Sequence, residues 1–157
     1  MYIINKIYLK IFFLRFVLFV VSFIWFTGII SPCIFSKSDF FLNQYLNIFF
    51  GTVCHQDTAK SFICNQSTLL VCARCTGIYL SIAIVSLFIL LTQIRIRINT
   101  KFLIYLSLPM LGDVIFYSIG FYNYSKIAAA ITGFLFGSSV FLYILEALEN
   151  YIYIIKK

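Results

Sequence analysis

Charge is what this sequence has least of. Acidic residues number five, histidine occurs once, and only 11% of the 157 residues are charged, where soluble domains carry roughly 25%. With 62% hydrophobic residues and a mean hydropathy of +1.01, that deficit excludes a soluble globular domain. It leaves a membrane protein with a few spanning helices. The formal charge of +7 rests on twelve basic residues. They are scattered between apolar runs and form no basic stripe, which excludes nucleic acid as a partner. The partner the composition implies is the lipid bilayer, and no protein partner is indicated. The first apolar run is expected to be a retained helix and not a cleavable leader. It is longer than the roughly 7–15 residues of a signal-peptide core, and no small-residue cleavage site follows it. No internal repeat or low-complexity tract is present.

What remains is hydrocarbon in four runs. Residues 16–36 form an uncharged stretch of 21, enough to cross the ~30 Å apolar core of a bilayer. Lys6, Lys10 and Arg15 precede it and Pro32 lies near its far end, which predicts a helix over about 11–32. The second run, residues 75–94, is closed by Arg95, Arg97 and Lys101. The third, 102–121, is interrupted by Pro109 and Asp113, and the fourth predicts a helix over about 127–148. The short connection at 122–126 makes the third and fourth helices antiparallel neighbours. Ala129, Gly133 and Gly137 place a small residue at every fourth position of the fourth helix, so another backbone can approach it closely.

Between the first and second runs, Ser36-Lys37-Ser38-Asp39 supplies helix-start chemistry. A short amphipathic helix follows, with Asn43, Gln44 and Asn47 on one face and Phe41, Leu42, Tyr45, Leu46 and Phe49 on the other. At about three turns it is too short to span and is expected to lie along an interface or, as a re-entrant piece, among the spans. The expected architecture is an all-α integral membrane bundle of four transmembrane helices in one domain, with this interfacial helix and a Cys/His loop over 51–76. Orientation follows from counting. With both termini cytoplasmic, that side carries Lys6, Lys10, Arg15, Arg95, Arg97, Lys101, Lys156 and Lys157, against Lys37, Lys60, Arg74 and Lys126 outside. Eight against four favours this placement in the plasma or inner membrane, with the loop on the oxidising side.

That loop carries the chemistry. It holds Cys54, His55, Cys64, Cys72 and Cys75, four of the five cysteines and the only histidine. Cys72-Ala73-Arg74-Cys75 stands at a helix start, where unpaired backbone N–H groups and the helix dipole favour the thiolate. Thiolates are metal ligands and nucleophiles alike, so three readings stay open. Cys64, Cys72 and Cys75 with Cys54 or His55 would suit zinc or another transition metal. Cys72 paired with Cys75, and Cys54 with Cys64, would pass electrons. The same pairs as permanent disulfides would staple an exposed loop. Cys33, at the end of the first helix, reads as a small buried apolar residue.

Asp113 is a carboxylate inside a span, at a cost of roughly 2.5–3.5 kcal/mol, and therefore needs a partner. It lies twelve residues from Lys101, or ~18 Å at ~1.5 Å per residue, toward the cysteine side. Arg74 is the best partner, with Lys60 and Lys126 as the others. Arg74, Asp113 and Lys60 are thus expected to support the ligand residues.

Taken together, these residues resemble the multi-pass membrane protein family known as domain of unknown function 2085. The resemblance lies in Cys54-His55-Gln56, Lys60-Ser61-Phe62 and Val71-Cys72-Ala73-Arg74-Cys75-Thr76-Gly77-Ile78-Tyr79. Pro109 and Asp113 stand where that family has a proline and an aspartate, and Lys126, Thr132-Gly133 and Gly137 resemble its closing motif. The family usually has arginine where Lys60 and Lys126 stand, often glycine at the place of Ser81, and Cys64 is not a dependable part of its pattern. The resemblance implies a site at these residues and names no reaction.

Overall fold

Four helices of the computed structural model are long and apolar enough to cross a membrane. Residues 2–34, 40–64, 67–95 and 97–154 are described. The helix-start residues 36–39 and the basic tail, Lys156 and Lys157, lie outside them, as do the side chains of 2–7 and 40–43. In chain order the elements are α1 (Tyr2–Ile34), α2 (Phe40–Gly51), a 3-10 turn (Thr58–Lys60), β1 (Ser61–Cys64), β2 (Ser67–Cys72), α3 (Ala73–Thr92), α4 (Thr100–Ser118) and α5 (Lys126–Ile154).

Sequence-local chemistry explains most of the boundaries. The 3-10 turn is capped by Asp57, whose side chain accepts from the Ala59 N–H. α3 ends where Gln93 adopts a left-handed conformation (φ 53°) and its N–H closes on the Ile89 carbonyl at 3.1 Å. α4 begins at Asn99, whose side chain accepts from the Lys101 N–H at 3.2 Å. α4 is continuous through Pro109. α5 runs past the expected end near residue 148 to Ile154, because its last turns are tied to α1 and to the α3–α4 connection.

The expected loop over 51–76 contains a small antiparallel hairpin as well. β1 pairs with β2 through Ser61 with Cys72, Ile63 with Thr68, and Cys64 with Ser67, with a bulge between Ser61 and Ile63. β2 lies against α1 and α2. A core of Ile29, Phe50, Cys54, Leu70 and Val71 joins these pieces, with Trp25, Leu46, Cys72, Cys75 and Tyr79 packed on it. The apolar face of α2 is narrower than expected: Leu46 and Phe50 turn inward, while Tyr45 and Phe49 stay exposed beside Gln44 and Asn47.

α3 is the centre of the bundle, packed on α5 and on α1, and α4 leans chiefly on α5. The small residues of α5 meet α3. A Cβ at Gly133 would overlap the Arg74 carbonyl, one at Gly77 the Ala130 carbonyl, and one at Gly137 would sit 2.7 Å from the Ile78 carbonyl oxygen. Ser81, whose Oγ faces Gly137, is fully buried in the same seam, and Ala129 and Ser139 are fully buried on α5. In lipid no hydrophobic effect draws helices together, so close backbone contact of this kind supplies the packing energy. The outward faces carry Phe13, Ile24, Phe88, Leu111, Ile115 and other large apolar side chains, as a hydrocarbon solvent requires.

The end of the bundle opposite the hairpin is closed by charge. Arg15 and Glu149 are both about 4% exposed and paired at 2.7 Å. Glu146 accepts from the Ile98 N–H at 2.6 Å. Arg15, counted above as a topological charge, is also a buried structural partner.

Candidate functional site

Three thiols converge at the base of the hairpin. Cys54 follows the last turn of α2, and its N–H closes on the Phe50 carbonyl at 2.9 Å, which turns its side chain into the core. Gln56 holds this corner: it takes a positive φ of 48° and its amide donates to the Asn47 carbonyl at 2.9 Å. Cys72 ends β2 and caps α3, with no side-chain capping bond of its own. Cys75 lies one turn into α3, on the same face. The three sulfurs fall within 4.8 Å of one another, and no other described histidine, cysteine or carboxylate joins them.

The surroundings favour a thiolate at Cys72. The Cys72 N–H donates to the Cys54 sulfur at 3.3 Å, and the group lies at the positive end of the α3 dipole. The Cys72 thiol is drawn down to about 5, first by its hydrogen bond with the Cys75 side chain and against the effect of burial. Thr76 donates to the Cys72 carbonyl at 3.1 Å and fixes the turn that carries both thiols.

The thiols are backed by a polar chain reaching across the bundle. Arg74, between Cys72 and Cys75, pairs through Nη2 with Asp113 of α4. The Tyr122 hydroxyl donates to the other carboxylate oxygen and, at 3.3 Å, to the Asp113 carbonyl. That bond to the carboxylate raises the Tyr122 pKa. Burial pushes neighbouring Tyr124 up to about 12. Lys60 pairs with Asp57 at 3.3 Å and lies 5.1 Å over the Tyr117 ring and 5.8 Å over the Tyr124 ring. Its pKa is raised chiefly by Asp57. Lys126 donates to the Ser61 carbonyl at 2.7 Å, tying α5 to β1. Both lysines meet their partners as point charges, where the resembled family would place a forked guanidinium.

Two expectations change. Cys64 does not belong to the thiol group, because it is disulfide-bonded to Cys33 (Cα–Cα 5.6 Å). That bond replaces both Cys64 as a ligand and the Cys54–Cys64 pairing. It also makes Cys33 a cross-link between the end of α1 and the hairpin, not a spare apolar residue. A separation of 31 positions hid the pair in the sequence. His55 is exposed and stands apart from the three sulfurs. Arg74 and Asp113 pair as expected. Tyr122 was missed because a tyrosine in a short connection carries no sequence signal of the carboxylate it will meet.

The donor set suits a soft or borderline cation. Three cysteine sulfurs, one already receiving a backbone N–H, match the chemistry by which zinc or copper(I) is held. No curated protein and no solved structure is matched by the chain. One family model is, over residues 54–143, from the first thiol through most of α5, and so the chain belongs to DUF2085, a family of predicted membrane proteins.

Proposed function

We propose that this membrane protein binds a transition-metal ion through Cys54, Cys72 and Cys75, with zinc the best match to the donors. The observation that carries the reading is the meeting of three sulfurs, from the end of α2, the end of β2 and the first turn of α3, within 4.8 Å. Three protein ligands leave a fourth position for water or a substrate, as in catalytic zinc sites. Arg74, between Cys72 and Cys75 and held by Asp113, is the cation nearest to the donors in sequence. In this reading the ion would supply Lewis acidity or transport competence, and the chain's own residues hold the thiolates and set the charge around them.

The same reading puts the thiols on the outer face of the cell membrane, with both termini cytoplasmic. Two observations support this: the eight-to-four distribution of cationic residues, and the Cys33–Cys64 disulfide on the same hairpin, which belongs to an oxidising compartment. The disulfide also favours a second reading, in which Cys72 and Cys75 form a disulfide reversibly and exchange it with a partner dithiol.

Elemental analysis with thiol counting separates the two. Protein purified without chelator is expected to carry about one equivalent of metal with three protected thiols. Cys72→Ser or Cys75→Ser should abolish the metal and Cys64→Ser should retain it. A metal-free protein whose Cys72 and Cys75 cycle between thiol and disulfide would overturn the metal reading in favour of the second.

A further inference from the structure

The pocket at the end of the bundle opposite the thiols has no part in the metal site. It is a cavity of about 220 Å³ lined by Tyr8, Arg15, Gln93, Arg95, Glu149 and Tyr153. Unlike the apolar grooves along the spans, its wall is about half polar. Its back wall is the buried Arg15, which donates Nε to Glu149 at 2.7 Å, Nη2 to the Ile94 carbonyl at 3.1 Å and Nη1 to the Ile89 carbonyl at 3.4 Å. A guanidinium has five N–H donors, so two remain. Arg95 forms the rim: it donates once, to Asn150 at 3.0 Å, and lies 4.2 Å over the Tyr153 ring. Two guanidinium groups against one carboxylate leave the lining cationic, with donors to spare.

A structural ion pair alone would close over itself. Here a cavity lies against the buried pair, at the end of the bundle where Arg15 and Arg95 flank the uncharged runs 16–36 and 75–94, the level of lipid headgroups. The volume is below the roughly 300–1,000 Å³ of pockets that take drug-sized ligands, and suits a headgroup fragment. Basic pockets between spanning helices at this depth recognise anionic lipids. We propose that this pocket binds the phosphate headgroup of an anionic phospholipid, with Arg15 and Arg95 as the phosphate-binding pair and Glu149 positioning Arg15.

The test uses the full-length protein in lipid nanodiscs and in detergent. Phosphatidylglycerol added to the detergent-solubilised protein should raise its melting temperature, and native mass spectrometry should retain one copy. Phosphatidylcholine should do neither. Arg95→Gln should weaken phosphatidylglycerol binding about five-fold, the share of one arginine near a membrane surface. Arg97→Gln, an exposed charge on the same connection and outside the pocket, should leave binding nearly unchanged. Arg15→Gln removes a buried partner and tests the pocket only if it folds, so Arg95→Gln decides. Equal losses in the Arg95 and Arg97 variants, or equal effects of the two lipids, would overturn the site. Protection by inorganic phosphate as strong as by phosphatidylglycerol would overturn its assignment to a lipid.

Discussion

Removing Arg74 should be the costliest single change at the thiol end, and the size of the loss can be worked from the pair it belongs to. The Asp113 side chain is 6% exposed and that of Arg74 20%. Arg74→Gln would leave the carboxylate nearly sealed from water, with only the Tyr122 hydroxyl to answer it. Breaking a buried pair this way costs about 3–5 kcal/mol. Asp113→Asn is milder. The amide oxygen still accepts from Tyr122, and the stranded guanidinium is three times more exposed and can reach toward the interface on its apolar stem. Its cost should be about 1–3 kcal/mol, that of a buried polar group left short of a partner. The double change removes both charges, so its cost should fall below the sum of the singles by about 1–3 kcal/mol. Denaturant unfolding in detergent, followed by circular dichroism, measures all three variants against the parent. Strict additivity to within about 0.5 kcal/mol, or a larger loss in Asp113→Asn than in Arg74→Gln, would refute the reasoning.

Four further outcomes are expected. Tyr122→Phe should destabilise by about 1.5 kcal/mol, the usual worth of a hydrogen bond to a charged group, and should do so far less once Asp113 is Asn. Gly133→Ala should cost about 1–3 kcal/mol through overpacking, because its Cβ would overlap the Arg74 carbonyl; metal content measured on the same sample should fall with it if that shift disturbs the turn carrying Cys72 and Cys75. Cys33→Ser should lower stability by about 3–4 kcal/mol, the chain-entropy effect of a loop of this length, and reducing agent should then have no further effect on the melting temperature. With Cys64 as the only remaining cysteine, an impermeant maleimide should label intact cells; labelling only after lysis would reverse the proposed orientation.

Some of this protein is written locally in its chain. An uncharged run must pair its backbone groups within itself once it is in lipid, so the four spanning helices follow from hydropathy alone, and their ends follow from neighbours such as Asn99. The CxxC at the head of α3 belongs to the same class, because an N-terminus and its dipole are properties of a few consecutive residues. The Arg74–Asp113 pair was legible for a different reason: a buried carboxylate demands a cation, and few were within reach. The remainder depends on which surfaces meet. That Cys54 joins Cys72 and Cys75 while Cys64 goes to Cys33 is decided by how β2 packs on α1 and α2, since a thiol's type says nothing of its partner. The hairpin was missed because its strands are four and six residues long, too short for a clear alternation beside an apolar span. Arg15 and Glu149 stand 134 residues apart and meet only because α1 and α5 end on the same side of the bundle. Ala129, Gly133 and Gly137 announced a close contact, but only the packed bundle decides that α3 makes it, because small residues specify a distance of approach and not the helix that approaches.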